Sequence, residues 1–353
     1  MFPMQPCREC DMADAIHRRD FVRTGLAGAA ALGLLGTGSL NAEEASKASR
    51  PESETLVLKL YDSLNEQQRS KICFPWDYKD DRGILRTHVS NNWSITDRDK
   101  LNVGGSFFTA DQRDMIEAIF FGLYNPEWHD RIRQQLKDDA GGYGKAQAIA
   151  IFGEPGKGKF EFVMTGRHLT VRCDGNTSDH VAFGGPIFYG HAAKGFNEEK
   201  DHPGNVFWPQ ALKANKVYQL LDGKQQQRAR VSTIPGESDV PFQGDKGTFP
   251  GLPVADMSAD QKAAMQDVLK SLLEPYRQSD KDEAIQCLNK FGGLDKCSLA
   301  FYDVDSEDIG NDKVWDNWRL EGPTFVWYFR GAPHVHVWVN VADTADLPLN
   351  SAG

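Results

Sequence analysis

Thr109-Ala110-Asp111-Gln112 leads into Met115, Ile116, Ile119, Phe120 and Leu123, and Ser258-Ala259-Asp260-Gln261 leads into Ala264, Met265, Val268, Leu269 and Leu272. Every position of the second stretch lies 149 residues beyond its partner in the first (258 against 109). Each stretch opens with a capping box, in which the hydroxyl caps the first turn and the glutamine reaches back to the cap amide. The apolar residues that follow recur at the three-and-four spacing of one helix face. A basic residue, Arg113 or Lys262, follows the box in both.

Working outward, the correspondence extends. Gln67-Gln68-Arg69 ends one helical run, and Gln226-Gln227-Arg228 follows another that contains Val217, Leu220 and Leu221. Downstream, Phe162-Val163-Met164-Thr165-Gly166 parallels Trp318-Arg319-Leu320-Glu321-Gly322. Cap, apolar face and following strand recur in one order, which predicts an internal duplication. The expected fold class is α+β, with two pseudo-repeated halves, each giving helices first and then an antiparallel sheet. Strand-like segments fall at 147–152, 159–166, 167–173, 299–304, 315–321, 324–329 and 334–341. Short Gly/Pro turns between several of them suit antiparallel pairing rather than helical crossovers.

The first residues point to a compartment. His17-Arg18-Arg19-Asp20-Phe21-Val22-Arg23 precedes an uncharged run from Thr24 to Gly36, the pattern of a twin-arginine export signal. A run of 13 residues rich in glycine is too short to span a bilayer as a stable helix. Small residues near Ala42 suggest cleavage there, so 1–42 reads as signal peptide and the residues from Glu43 to Glu54 as a flexible tether. The first half then covers 55–200 and the second 201–350. The expected location is periplasmic or extracellular, reached in folded form, with the twin-arginine translocation machinery as a partner and no stable membrane span after cleavage. A net charge of −10 without a basic stripe argues against nucleic acid as a partner.

Six cysteines are present. Cys7 and Cys10 lie ahead of the arginines and leave with the signal. Cys73, Cys173, Cys287 and Cys297 remain for an oxidising compartment, where three pairings are open. Cys287 and Cys297 bracket Phe291-Gly292-Gly293-Leu294, whose paired glycines let the chain turn back, and a disulfide between them is expected.

Several stretches taken in order carry a family resemblance: Lys159 to Leu169, Pro186-Ile187-Phe188-Tyr189-Gly190, Gly251 to Asp256, Trp318 to Pro323 and His334-Val335-His336. Together they resemble the bacterial and fungal family known as domain of unknown function 3500, from about residue 60 to the end. The usual pattern of that family at the first stretch, Glu-Gly-His-His-Leu, reads here Thr165-Gly166-Arg167-His168-Leu169, which keeps the second histidine. His191 stands where many members carry a small residue. The resemblance implies an architecture and no activity.

The chemistry has to be read from the residues. Strand alternation sends His334 and His336 to one face, with Cα atoms about 6.6 Å apart. His168 and His191 lie at strand ends of the first half, so a site of three or four imidazoles between the halves is expected. Neutral imidazoles favour Zn, Cu or Fe over Mg or Ca. Glu161 and Glu321 are the strand carboxylates expected to hold the free ring nitrogens. Arg167 and Arg330, each close to a candidate histidine, are the expected clamps for an anionic substrate.

Other readings fail locally. Gly153 to Lys159 is glycine-rich, but no Gly-Lys-Ser/Thr ends it and a strand follows, so it reads as a hairpin turn and not a phosphate loop. Neither a Gly-x-Ser-x-Gly elbow nor a His-Glu-x-x-His is present. Two functions stand: an exported histidine-ligated metalloenzyme, hydrolytic or oxidative, and a non-catalytic binding protein for a small ligand or a cell-surface polymer.

Overall fold

A computed structural model describes residues 52–174, 180–192, 204–303 and 312–352. The signal segment 1–42 lies outside these residues. The expected tether ends early, because a helix runs Ser53–Ser63, with the Ser53 hydroxyl buried on the carbonyl of Ile119.

The strands of the main sheet are, in chain order, β1 (Cys73–Phe74), β2 (Ala148–Gly153), β3 (Phe160–Gly166), β4 (Leu169–Cys173), β5 (Ile187–His191), β6 (Arg230–Val231), β7 (Leu252–Pro253), β8 (Ser298–Tyr302), β9 (Asn317–Gly322), β10 (Phe325–Arg330) and β11 (Val335–Val341). They form one mixed sheet, ordered β1-β2-β3-β4-β5-β11-β10-β9-β8-β7, with β6 also paired to β8. The two sheets expected from the sequence are thus one continuous sheet, joined where β5 and β11 pair antiparallel, Ile187 opposite Val339. It is not wholly antiparallel: β1 runs parallel to β2 and β6 parallel to β8.

The sheet is buried on both faces. One face carries the helices and the larger core, with Ile116, Ile119 and Phe120 from the helix Ala110–Gly122 and Met265, Val268 and Leu272 from the helix Ala259–Leu273. Irregular segments cover the other, over Phe188, Val326, Tyr328 and Trp338 in one cluster and Ala150, Phe152 and Val163 in a second.

Both expected capping boxes form, on Thr109 with Gln112 and on Ser258 with Gln261. Two more sit on Asn65 with Gln68 and Asp222 with Gln225. The boxes are cross-linked in pairs. Gln68 and Gln112 exchange side-chain amide hydrogen bonds of 2.8 and 3.2 Å, and Gln225 and Gln261 exchange bonds of 3.0 and 2.7 Å. Gln112 also donates to the Ser63 carbonyl at the end of one helix, and Gln261 to the Leu220 carbonyl at the end of another.

The expected disulfide is absent: all four described cysteines are free thiols. Gly292 and Gly293 do turn the chain with positive φ, as expected. The two sulfurs face different neighbours, however. Cys297 Sγ packs so close to Gly322 that a Cβ there would lie 2.7 Å away, whereas the Cys287 thiol is pushed up to about 12 by burial and the nearby carboxylates of Glu283 and Asp343. No helix among the described residues is long and apolar enough to cross a membrane.

Candidate metal centre

His336 sits on β11 opposite Gly190 of β5. Gly190 has to be glycine: a Cβ there would lie 2.1 Å from the Val335 carbonyl oxygen, so a side chain would push the central strands apart beside His336. His334 is two residues earlier and shares the face of His336. His168 enters from the turn between β3 and β4, where Gly166 pairs with Leu169. Its φ of +48° lies in the left-handed region, and its amide donates to Asn92 Oδ1 at 3.1 Å. A non-glycine residue held there is the local strain that functional sites tend to store.

Three Nε2 atoms converge. His168 to His334 is 3.1 Å, His334 to His336 is 2.9 Å and His336 to His168 is 3.0 Å. All three residues are buried, with exposures of 1%, 2% and 0%. Their ligand atoms fall within 4.8 Å of one another, so the group could hold a metal ion.

Carboxylates orient two of the rings from behind. Asp139, near the end of the helix His129–Ala140, takes the Nδ1 of His168 at 2.6 Å on one oxygen. Its other oxygen accepts from Arg167 Nε at 3.0 Å and from the Ala192 amide at 3.1 Å. Glu237, in the segment after β6, lies 2.7 Å from the Nδ1 of His336, and Arg330 pairs with its second oxygen. Arg330 ends β10 opposite His336 in register, which brings Nη2 within 2.8 Å of the same Nδ1. A carboxylate can only accept, so the Nδ1 proton of His168 points to Asp139 and its Nε2 lone pair points into the centre, whereas the Nδ1 of His336 faces both the acceptor Glu237 and the donor Arg330.

The electrostatics fit that assignment. Burial alone would raise Asp139, but His168 and Arg167 hold it below the usual carboxylate range. Burial, then His168 and Arg330, hold His334 far below the ordinary imidazole range, and burial, then Arg330 and His168, do the same for His336. Neutral imidazoles are the form that ligates metal.

The fourth expected ligand does not join. His191 is fully buried on β5 opposite Val335, one residue out of phase with the Gly190–His336 pair, and its ring lies 5.9 Å from that of Phe207. A shift of one residue sends a strand side chain to the other face. The expected carboxylates are elsewhere too. Glu161 lies at the far end of β3 from the His168 turn, roughly 16 Å along the strand at about 3.3 Å per residue. It bonds Arg172 at 2.7 Å and Arg86 at 3.0 Å. Glu321, on a strand that does not adjoin β11, bonds Arg319 at 2.9 Å and Gln243 at 2.8 Å. Arg167 and Arg330 do lie at the centre, paired with the two orienting carboxylates. Asp139 and Glu237 carried no sequence signal, one at a helix end and the other in a loop.

No curated protein and no solved structure matches the chain. The pattern that defines a family described as a protein of unknown function (DUF3500) matches residues 59–339. The matched span runs from the first helix into β11 and holds all three converging histidines: the chain belongs to the DUF3500 family.

Proposed function

We propose that this protein is an exported metalloenzyme whose reaction runs at one transition-metal ion held by His168, His334 and His336. The observation that carries the reading is the convergence of three buried Nε2 atoms 2.9–3.1 Å apart. Three lone pairs facing one another repel, and a single ring proton can bridge only two nitrogens, so a cation between them satisfies the set. Asp139 behind the His168 ring fixes its tautomer and raises its basicity as a ligand. Imidazole donors suit Zn, Cu or Fe, with hydrolysis expected for Zn and oxidation for Cu or Fe.

The test is elemental analysis of purified protein. About one Zn, Cu or Fe per chain is expected, lost in H168A and H336A and retained in H191A. A chain that takes up none of these ions is a binding protein for a small ligand or polymer instead. Export rests on Arg18, Arg19 and the run to Gly36, and fusing residues 1–42 to a folded reporter tests it.

We also infer that the chain is a duplication. The crossed glutamine pairs support it, since Gln68, Gln112 and Ser63 match Gln225, Gln261 and Leu220 partner for partner. Arg69 bonds the carbonyls of Tyr61 and Leu64, and Gln226 those of Tyr218 and Leu221, each 157 residues on (218 against 61). The strand order reads alike from either edge toward β5 and β11. On this reading each half supplies part of the centre, His168 from the first and His334 and His336 from the second.

A further inference from the structure

The sheet face that carries His334 and His336 also lines a cavity. Asn340 follows His336 on β11 and shares its face, about 13 Å further along the strand at about 3.3 Å per residue. It lines a cavity of about 170 Å³. Arg86 enters this cavity from the turn Leu85–Thr87, Lys159 from the residue before β3, and Gly185 and Pro186 from the approach to β5. Leu347 and Leu349 wall it from the C-terminal segment.

One buried side chain fixes most of these walls. Arg172 donates to the Pro186 carbonyl, to the His88 carbonyl and to Glu161 Oε1, each at 2.7 Å, and to the Arg86 carbonyl. Glu161 in turn accepts from Arg86 Nη1 at 3.0 Å. Phe183, just ahead of the Gly184–Pro186 wall, has a φ of +58°, the kind of strain found at ligand clamps. The C-terminal wall is tied down by Asn350, which donates to the Ile84 carbonyl at 3.1 Å, and by the pairing of Asn350–Ala352 with His88–Ser90. Walls held before a ligand arrives lower the ordering cost of binding it.

The lining has two characters. Trp76, Val181, Pro186, Leu347 and Leu349 are apolar, whereas Arg86 and Lys159 are cations, and no carboxylate is among the described lining residues. The Arg86 guanidinium lies 3.9 Å from the centre of the Trp76 ring. A guanidinium offers five N–H donors, of which Glu161 takes one. Apolar walls with a few convergent polar groups are the usual form of a small-molecule site, and a cavity of this size accommodates a six-membered ring.

We propose that this cavity binds a small monocarboxylate with a ring-sized apolar body. The carboxylate lies against Arg86 and Lys159, the body lies against Pro186, Leu347 and Leu349, and Arg172 is a positioning residue. The site is separate from the metal centre and does not rest on it.

Calorimetric titration of the purified full chain with benzoate, its neutral isostere benzamide, and acetate tests the proposal. Benzoate should bind saturably at one site per chain. Benzamide, which lacks the charge, and acetate, which lacks the ring, should each bind about 10-fold more weakly or worse. K159M should weaken benzoate about 3-fold, the scale of an exposed charge contact. L347W fills the cavity from a partly exposed position and should abolish binding, with both variants melting near the wild type. Benzoate that does not saturate, benzamide that binds equally, or affinity unchanged in both variants overturns the proposal. Binding should persist in wild-type protein stripped of metal by a chelator. Its loss there would put the carboxylate on the metal, overturning this site while leaving the metal reading standing.

Discussion

Asp139 takes the Nδ1 of His168 at 2.6 Å on one carboxylate oxygen and ties Arg167 and the Ala192 amide to the other. One side chain therefore joins a helix end, the β3–β4 turn and the end of β5. The turn that carries His168 bends through a left-handed residue, so its ring depends on that outside anchor for orientation.

Asp139→Asn tests the anchor. The amide can still accept on one atom but cannot hold ring, guanidinium and backbone amide together. Metal affinity should fall about 10–100-fold, as for other orienting partners. Competition against a chelator of known affinity measures it, and saturating metal should still give one ion per chain. Unchanged affinity would show that His168 is held by the turn alone.

Arg172 is a second buried hub, apart from the three converging histidines. Its guanidinium donates to Glu161 Oε1, the Pro186 carbonyl and the His88 carbonyl, each at 2.7 Å, and to the Arg86 carbonyl. Arg172→Met would strand the Glu161 carboxylate with Arg86 alone and leave the carbonyls unpaired. A loss of about 3–5 kcal/mol in chemical denaturation is expected, as for breaking one side of a buried pair. Arg172→Met with Glu161→Leu should recover part of that loss, because the orphaned charge goes too.

The crossed glutamines make a paired prediction. Gln112→Ala and Gln261→Ala each remove a reach-back to a cap amide, a reciprocal amide bond and a bond to a helix-end carbonyl. Each should cost about 1–3 kcal/mol in thermal or chemical unfolding. The double variant should lose the sum, since neither glutamine shares a partner with the other. Unequal costs would argue that the two capped helices are anchored differently.

How far the sequence spoke for the structure depended on the range of each interaction. The capping boxes were legible because two residues three positions apart decide them, and the long strands because alternation is local. His334 and His336 were readable as a pair from parity alone. His191 was misread for the same kind of reason: its facing depends on register with β11, a partner far along the chain that alternation within β5 says nothing about. The single sheet and the parallel outer strands were hidden too, since edge pairing is decided by distant segments. Glu161 and Glu321 looked apt because they sit in strands, yet the structure orients the rings with carboxylates from a helix end and a loop. For Cys287 and Cys297, compartment and turn both favoured a bond, and the direction of the Cys297 side chain toward Gly322 decided otherwise.

The last prediction concerns the acidic end of the helix Gln278–Lys290. Burial, with help from Asp174 and Asp280, pushes Glu283 up to about 7, against Arg277 and the Phe183 amide, which pull the other way. Burial also pushes Asp280 up to about 6, with Glu54 adding and Arg277 and Ser279 opposing. An acid raised in the folded state favours folding while protonated. Its contribution is complete below the unfolded value of about 4.3 and is lost as pH rises through about 7. His88, lowered to about 4 by burial, acts in the opposite sense over much of the same window, since its stability contribution grows as pH rises toward 6.5. Wild-type stability alone therefore does not isolate Glu283, but the difference from Glu283→Gln does. The variant should gain in melting temperature on the wild type as pH rises from 5 to 8, because over that range the folded wild type comes to carry a charge against Asp174 and Asp280 and the variant does not. Melting curves that stay parallel from pH 5 to pH 8 would show that Glu283 titrates like an exposed carboxylate.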